Sequence, residues 1–252
     1  MTRASQKSLK VKNLSAIIDG KKILNSVNLE ILAGQITVLM GPNGSGKSTL
    51  SNVLMGQPGL GKITGITSWK NKNILKLEPW QRARLGLFLA FQYPYEVPGV
   101  NFYEFLLTAY QAKYGKNGSQ SDFDQRLQKG LKDLSLPEKF LSRGLNEGFS
   151  GGEKKKAEIL QLHVLRPEIA ILDETDSGLD IDALKIIAKN IKQLAVKEKI
   201  GFLVITHYQR LLDYLNSNRV YVLHDGQMVE SGGRVLIKKI ETQGYNWLTK
   251  KN

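Results

Sequence analysis

The chain of 252 residues is long enough for one large domain or two small ones, and its 41% hydrophobic and 23% charged residues are typical of a folded globular protein. It contains no cysteine, which excludes a disulfide framework and a thiolate metal site. Its apolar runs are too short to cross a bilayer and its basic N-terminus lacks the apolar core of a secretory signal, so we expect no direct membrane insertion.

The net charge of +13 would suit nucleic acid, a membrane surface or an acidic partner. Because the lysines are scattered and no aromatic–basic RNA-binding pattern is present, we expect no nucleic-acid partner.

The N-terminal part of the chain predicts an antiparallel sheet that leads into a buried strand. Residues 9–40 alternate or run apolar, with turns at Asp19-Gly20 and Ala33-Gly34. A glycine-rich loop and a helix follow, and then residues 61–69 predict a short strand interrupted by glycine.

The rest of the chain alternates strands with helices, apart from one helix-rich stretch. A helical pattern from Glu78 precedes the strand "LFLAF", and residues 101–141 are mainly helical. The later elements are a helix from Gly152 to about Arg166, a strand at "EIAILDE", a helix over 181–199, a strand at "GFLVIT" and a strand pair around Asp225-Gly226. Residues 234–252 show no clear pattern. Strands that alternate with helices predict an α/β fold with a parallel sheet, into which the helix-rich stretch is inserted.

The segment "GPNGSGKS", Gly41 to Ser48, fits the phosphate-loop pattern G-x-x-x-x-G-K-[ST] completely and follows the apolar strand "ITVLM". Glycines let backbone N–H groups turn towards phosphate oxygens, and a helix that starts near Lys47 adds the positive end of its dipole. Lys47 supplies a charge for the β- and γ-phosphates, and Ser48 supplies a hydroxyl ligand for Mg²⁺. We therefore expect a nucleoside triphosphate and Mg²⁺ as cofactors, and the family resemblance given below implies that the nucleotide is ATP. The nucleotide-binding candidates are Gly41, Pro42, Asn43, Gly44, Ser45, Gly46, Lys47, Ser48 and Thr49.

Polar residues follow three further apolar strands. Asp173 and Glu174 end "IAILDE", where Asp173 is a ligand for Mg²⁺ and Glu174 can orient or deprotonate the attacking water. His207 follows "FLVIT", and Gln92 ends "LFLAFQ". Because the carboxyl ends of parallel strands meet at one crevice, we expect His207 to contact the γ-phosphate and Gln92 to reach the metal or the water. The sequence thus predicts Glu174, His207 and Gln92 as catalytic residues, and Ser48, Gln92 and Asp173 as metal ligands.

In their order and spacing, the phosphate loop, Gln92, "SGGE", "ILDE", "SGLD" and His207 resemble the ATP-binding cassette (ABC) ATPases, from about Leu9 to Ser231. The resemblance implies one ABC ATPase domain over residues 1–252. Its expected parts are a RecA-like core with the phosphate loop, an antiparallel β subdomain and a helical subdomain inserted at about residues 95–155. It also implies hydrolysis of ATP to ADP and phosphate.

The resemblance assigns the "SGG" turn to a second copy of the chain. In this family two cassettes pair head to tail, and each ATP lies between the phosphate loop of one and the signature turn of the other. Ser150 offers a hydroxyl, Gly151 and Gly152 offer unobstructed N–H groups, and the following helix adds its dipole, which suits the far side of a γ-phosphate. Asp180, in "SGLD", would lie at the subunit seam beside Glu174.

Three variants, "FSGGEKKK", "DETDSGLD" and "AFQYPYEVPGV", resemble the branch of the family that serves the Suf iron–sulfur cluster assembly machinery. That branch implies partners of the SufB and SufD scaffold type, which ATP-driven dimerisation reshapes. It also implies a place in the bacterial cytoplasm or the plastid stroma.

Two other functions fit parts of the sequence. One is the ATP-binding subunit of a membrane transporter, against which the "FQYP" and "DETDSGLD" variants argue. The other is a nucleic-acid-associated cassette, for which the chain lacks coiled-coil arms or a tandem cassette. Where many cassettes stack the adenine on an aromatic ring, this chain has Ile18 or its neighbours, so we expect the base to pack on aliphatic surface.

Overall fold

A computed structural model describes residues 7–206, 209–245 and 247 of the chain. In chain order its strands are β1 (Ser8–Ile18), β2 (Lys21–Leu32), β3 (Ile36–Met40), β4 (Lys62–Trp69), β5 (Lys72–Asn73), β6 (Leu87–Ala90), β7 (Val97–Asn101), β8 (Gly144–Leu145), β9 (Ile169–Asp173), β10 (Gly201–Ile205), β11 (Arg219–His224) and β12 (Gln227–Gly232). Its helices are α1 (Lys47–Met55), α2 (Pro79–Arg84), α3 (Phe102–Tyr114), α4 (Gln120–Leu134), α5 (Gly151–Leu165), α6 (Ile181–Lys197), α7 (Gln209–Tyr214) and α8 (Arg234–Gln243). The predicted α/β fold is confirmed.

The larger sheet has the strand order β12-β11-β3-β10-β9-β6. Strands β11, β3, β10, β9 and β6 pair in parallel, and β12 adds antiparallel to β11 at the edge. Every residue of β3, β9 and β10 is buried, as expected for parallel strands covered on both faces. The carboxyl ends of β3, β6, β9 and β10 meet at one edge of this sheet. The chain connections after those four ends carry the phosphate loop, Gln92, Glu174 and Thr206, respectively.

A second sheet, in the order β2-β1-β4-β5, is antiparallel throughout. Its apolar face packs on the large sheet and on α1 in one core cluster that includes Leu14, Leu29, Leu50 and Ile171. The turn between β1 and β2 has positive φ at both Asp19 and Gly20, which suits the twist of a tight hairpin.

The segment between β6 and β9 contains α3, α4 and α5, together with the small sheet of β7 and β8. Helix α3 buries Phe102, Leu106 and Tyr110, which are four residues apart and share one face. Helices α3 and α4 both pack on α5, and α4 also packs on α6. This segment therefore shares one hydrophobic core with the large sheet.

Helix α8 is one of the elements that the sequence pattern did not indicate. It buries Leu236, Ile237 and Ile240 against the core, at positions that lie on one helical face. Its remaining residues are mostly exposed, which weakens the periodic signal. None of the helices in the described part of the chain combines the length and the hydropathy needed to cross a bilayer.

Candidate nucleotide site

The phosphate loop joins the carboxyl end of β3 to the N-terminus of α1. Gly46 is the N-cap of α1 with φ 103°, and a Cβ there would lie 2.9 Å from a methyl carbon of Leu24 and 3.1 Å from the carbonyl oxygen of Ile23. At Gly41 a Cβ would lie 2.1 Å from the carbonyl oxygen of Leu223. Both positions therefore require glycine for the loop to keep its path.

Lys47 folds back across the loop. Its Nζ donates hydrogen bonds to the carbonyl oxygens of Gly41 and Pro42, both at 2.9 Å. Burial lowers the pKa of Lys47, and the nearby carboxylates of Glu174 and Asp173 oppose that effect. A cavity of about 490 Å³ lies over the loop, lined by Ile23, Asn43, Gly44, Gly46, Lys47, Ser48, Thr49, Gln92, Tyr93, Glu174 and Ser177. Lys47 is thus placed to exchange its carbonyl acceptors for phosphate oxygens.

Oxygen ligands suited to a hard cation meet at the start of α1. Ser48 Oγ lies 3.4 Å from Asp173 Oδ1, and Ser51 Oγ donates to Asp173 Oδ2 at 2.8 Å. Burial raises the pKa of Asp173, whereas the hydrogen bonds from Ser51 and Ser48 lower it. Within the described residues no cluster of three or more His, Cys, Asp or Glu side chains could hold a metal. The hydroxyl of Ser48 and the carboxylate of Asp173 fit Mg²⁺, which takes one or two protein oxygens and completes its shell with water and phosphate.

Ser51 was missed by sequence reasoning, although it carries the shorter of the two hydrogen bonds to Asp173. It lies three residues after Ser48 and therefore on the same face of α1. A polar residue on the helix face that packs against β9 was the available signal.

Glu174 follows β9 in a left-handed conformation, with φ 47°. Its backbone N–H donates to the carbonyl oxygen of Ile205 at 2.9 Å, and Gln92 Nε2 donates to its Oε2 at 2.5 Å. A residue other than glycine held in this region stores about 1–3 kcal/mol of strain, which the surrounding structure must offset. The strand-end carboxylate and the strand-end amide are thus brought together beside the phosphate loop.

The "SGG" turn forms the N-terminus of α5, away from the cavity over the phosphate loop. Ser150 Oγ accepts from the N–H of Glu153 at 3.2 Å, and Glu153 Oε2 accepts from the N–H of Ser150 at 2.8 Å. A Cβ at Gly151 would meet no atom within 4 Å. Within the described part of the chain, residues 150–152 do not line that cavity.

Asp180 is also a helix cap. It is exposed, and its Oδ1 accepts from the N–H of Ala183 at 2.7 Å at the start of α6. The family resemblance implies a place for Asp180 at the subunit seam, and the sequence pattern does not indicate this capping role. His207 lies outside the described residues, so its predicted contact with the γ-phosphate stays a prediction. His163 is buried among α4, α5 and α6, where it contacts Asn190.

The apolar surface at the cavity differs in detail from the one that the sequence indicated. Ile18 ends β1 and pairs with Lys21 across the hairpin, whereas Ile23 lines the cavity over the loop. The expectation of an aliphatic surface for the base remains a prediction, with Ile23 as its candidate.

A phosphate loop at the end of a buried parallel strand, with an acidic pair at the end of another strand of the same sheet, defines a nucleotide-hydrolysing protein of the P-loop class. The family model described as ABC transporter matches residues 24–177. The chain belongs to this family, and it is an ATPase of the ATP-binding cassette type.

Its curated relatives match over nearly their whole length. "Probable ATP-dependent transporter ycf16" of Cyanophora paradoxa is 49% identical, with 98% of this chain and 97% of the relative covered. "Probable ATP-dependent transporter SufC" of Escherichia coli K12 is 46% identical, with 96% of this chain and 98% of the relative covered. Within the ABC ATPases the chain therefore resembles SufC.

Solved structures agree with the fold. An ATP-binding subunit of an ABC transporter superposes with a TM-score of 0.80 at 26% identity, covering 96% of this chain and 99% of that one. A dimeric ATP-binding cassette in a post-hydrolysis state, bound to ADP and Pi, superposes with a TM-score of 0.76 at 25% identity, covering 89% and 98%. The predicted fold class, an ABC cassette with antiparallel β and helical parts, is confirmed.

Proposed function

We propose that this chain is the SufC-type ATPase of an iron–sulfur cluster assembly complex. Two copies bind ATP head to tail, and the movement that accompanies binding and hydrolysis reshapes a scaffold of the SufB and SufD type. The observation that carries the dimer is the exposed N-terminus of α5, which offers N–H groups and a dipole to an anion but, among the described residues, does not line the cavity over the phosphate loop. The likeness to the SufC relative supports the assignment to the Suf machinery.

In the proposed reaction the phosphate loop holds the β- and γ-phosphates, with Lys47 as the mobile charge. Mg²⁺, bound by Ser48 and Asp173, would neutralise the charge that develops on the phosphates. Glu174 orients the attacking water and accepts its proton, and the hydrogen bond from Gln92 fixes where that carboxylate points. His207 completes the set as a γ-phosphate contact.

A second copy completes each site. We assign Ser150, Gly151 and Gly152 of that copy to the outer face of the γ-phosphate, and Asp180 to the seam between the copies. Gly151 presents its N–H without a side chain, while the Ser150–Glu153 capping pair keeps the first turn of α5 rigid. The solved dimeric cassettes with the same fold support this pairing.

This chain has a suitable docking surface for the scaffold beside Gln92. A groove of about 770 Å³ borders Gln92, Asp173 and Ser48, and it carries the exposed aromatic residues Trp80, Phe91, Tyr93 and Tyr95. Exposed aromatic clusters of this kind are typical of protein interfaces. We propose that residues of about 95–155 act as the helical subdomain, and that the groove at its base receives the scaffold in the bacterial cytoplasm or plastid stroma.

The experiment that tests the dimer uses Glu174→Gln, which keeps the size of the side chain and removes the proton acceptor. With ATP and Mg²⁺ this variant is expected to accumulate as an ATP-bound dimer, measured by size-exclusion chromatography with light scattering. Lys47→Ala is the control, because the loss of phosphate contacts removes ATP binding and leaves a monomer. A Glu174→Gln protein that binds ATP but remains monomeric would contradict the head-to-tail arrangement.

The second candidate function is the ATP-binding subunit of a membrane transporter, which the word "transporter" in the names of the relatives favours. Affinity purification of the chain from its source separates the two. Stable soluble scaffold proteins support the assembly role, whereas integral membrane proteins support transport.

A further inference from the structure

Helix α5 carries two buried charged residues that the proposed reaction does not use. Lys155 and Glu158 are each 4% exposed, and they lie one turn apart with Lys155 Nζ 3.5 Å from Glu158 Oε2. Neighbouring Lys154 instead reaches the surface and pairs with Glu96. The lysine run at the start of α5 therefore has one member that points into the protein.

Both buried side chains bind the backbone just after β6, Lys155 at Phe91 and Gln92 and Glu158 at Phe91. Lys155 Nζ donates to the carbonyl oxygens of Phe91 at 2.6 Å and Gln92 at 2.8 Å. Glu158 Oε1 accepts from the N–H of Phe91 at 2.7 Å. Strand β6 ends at Ala90, so Phe91 and Gln92 have already left the sheet. Three hydrogen bonds from α5 thus determine the path of the chain where sheet pairing stops.

Burying the charges of Lys155 and Glu158 carries a cost in desolvation. Burial lowers the pKa of Lys155, while Glu158, Asp173 and Asp176 favour its charged form. Burial raises the pKa of Glu158 to about 7, against the attraction of Lys155. A buried ion pair seldom stabilises a fold more than apolar side chains of the same size, but it can specify one geometry. What this pair specifies is the position of residues 91 and 92 relative to α5.

That position bears on the reaction through the side chain of Gln92. Its Nε2 lies 2.5 Å from Glu174 Oε2, so a small displacement of the Gln92 backbone would break the contact. The N-terminus of α5, with Ser150 to Gly152, lies only one turn before Lys155. The same helix therefore carries the turn that meets the second copy and the pair that holds Gln92.

We propose that Lys155 and Glu158 are positioning residues for ATP hydrolysis, which clamp the backbone of Phe91 and Gln92 to α5 and so keep Gln92 in reach of Glu174. The inference rests on the roles proposed above for Gln92 and Glu174. The clamp adds a direct mechanical link between the signature turn and the catalytic carboxylate.

The test compares four variants at saturating ATP and a fixed high protein concentration. Lys155→Met removes the donors but keeps an unbranched apolar chain, and Glu158→Leu removes the acceptor for the Phe91 N–H. Each is expected to lower kcat at least about tenfold while KM for ATP changes less than about threefold, because the phosphate loop is untouched. Glu158→Gln keeps an acceptor oxygen and is expected to retain kcat within about threefold. Lys156→Met, the next residue on the helix, is the matched control with unchanged kinetics.

A second readout follows the clamp without reference to activity. Amide hydrogen exchange at Phe91 is expected to be slow in the wild type and in Glu158→Gln, and faster in Glu158→Leu, while thermal unfolding confirms that each variant is folded. Unchanged kcat and unchanged exchange in Lys155→Met and Glu158→Leu would overturn the proposal. Equal damage in Glu158→Gln and Glu158→Leu would also overturn it, as would a fall in kcat that merely tracks the loss of folded, ATP-binding protein.

One further variant separates this inference from the proposed function. If Gln92→Ala leaves kcat unchanged, the role proposed for Gln92 is wrong, and the clamp then has no catalytic consequence. The exchange rate at Phe91 still reports whether the clamp exists.

Discussion

Arg82 is a buried cation whose hydrogen bonds go to backbone carbonyl groups. Its guanidinium donates to the oxygens of Val53 at 2.7 Å and Leu54 at 2.9 Å, at the end of α1, and to those of Leu75 and Leu77. The last carbonyls of a helix have no partner within it and form the negative end of its dipole. Burial lowers the pKa of Arg82, and Glu78 partly opposes that effect. Arg82 therefore ties the far end of the phosphate-loop helix to the segment before β6.

Arg82→Met is expected to lower the free energy of unfolding by about 2–4 kcal/mol, because it leaves several buried carbonyl oxygens without donors. Urea unfolding followed by circular dichroism measures this. Arg84→Met is the control: Arg84 is exposed beside Trp80, and its loss is expected to cost less than about 0.5 kcal/mol. Equal midpoints for the two variants would show that the carbonyl contacts contribute little.

At the residue scale, the sequence predicts those site residues whose chemistry is encoded locally. The phosphate loop, Asp173 and Glu174 stand in short motifs at strand ends, and the structure places them together with Gln92. Lys155 and Glu158 could not be predicted in the same way. They are joined to their partners across more than sixty positions of sequence, and in the sequence a lysine run is equally well explained as a solvated helix face.

At the scale of elements, a buried polar network joins three helices. Asn190 of α6 donates to the carbonyl oxygen of Asp133 in α4 at 3.1 Å and to that of Ile186 at 2.8 Å, so its Oδ1 remains as the acceptor for His163 Nε2 of α5 at 2.6 Å. Gly130 allows the close approach of α4, since a Cβ there would lie 3.0 Å from His163 Cβ. The network therefore fixes the register of α4 and α6 on α5.

This network makes the stability of the protein depend on pH. Burial lowers the pKa of His163, while its hydrogen bond to Asn190 and the charge of Asp133 oppose the shift, and Lys129 and Glu198 act more weakly. In the pH range just below 6.5 the unfolded chain then binds a proton that the folded chain does not, so stability is lost as pH falls through that range. The contribution from His163 has a slope of at most about 1.4 kcal/mol per pH unit.

The measurement compares the wild type with His163→Gln, which keeps an amide donor and cannot titrate. Free energies of unfolding from urea titrations between pH 5 and pH 8 are expected to show a steeper loss on the acid side for the wild type than for the variant. Parallel curves would mean that His163 has the same pKa in the folded and unfolded chains. Glu158 is present in both proteins, so its contribution cancels in the comparison. Its raised pKa makes stability fall as pH rises, which is opposite to the effect of His163.

The elements themselves are predicted well wherever periodicity and turn chemistry agree. Strands β3, β9 and β10 are continuous apolar runs, and α5 ends just before Pro167. Helix α8 was not predicted because three buried residues in an otherwise polar segment give little periodic signal. Its helical state depends on packing against the core, which is a tertiary effect.

For the whole molecule, the separation of the phosphate loop from the signature turn has a kinetic consequence. If each site needs a turn from a second copy, an isolated subunit hydrolyses ATP slowly, and specific activity rises with protein concentration. Phosphate release measured from about 0.1 to 50 μM protein is expected to show this rise and then a plateau, following the mass action of dimer formation. Fast turnover that does not depend on concentration would contradict the two-copy site.

The net charge of +13 gives that self-association a characteristic response to salt. Two copies of equal charge repel one another over distances longer than the Debye length, which is about 8 Å at 0.15 M ionic strength. We therefore expect the ATP-bound Glu174→Gln protein to dimerise more tightly at about 150 mM NaCl than at about 20 mM, as measured by analytical ultracentrifugation.

The matched test adds the exchanges Lys197→Glu and Lys199→Glu to the same protein. Both lysines are exposed just before β10, at the sheet edge opposite the phosphate loop, and each exchange replaces a positive charge with a negative one. That double variant is expected to dimerise more tightly at low salt and to respond less to added salt. Weaker dimerisation at higher salt in both proteins would instead mean that attractive charge pairs across the seam outweigh the repulsion between the two copies.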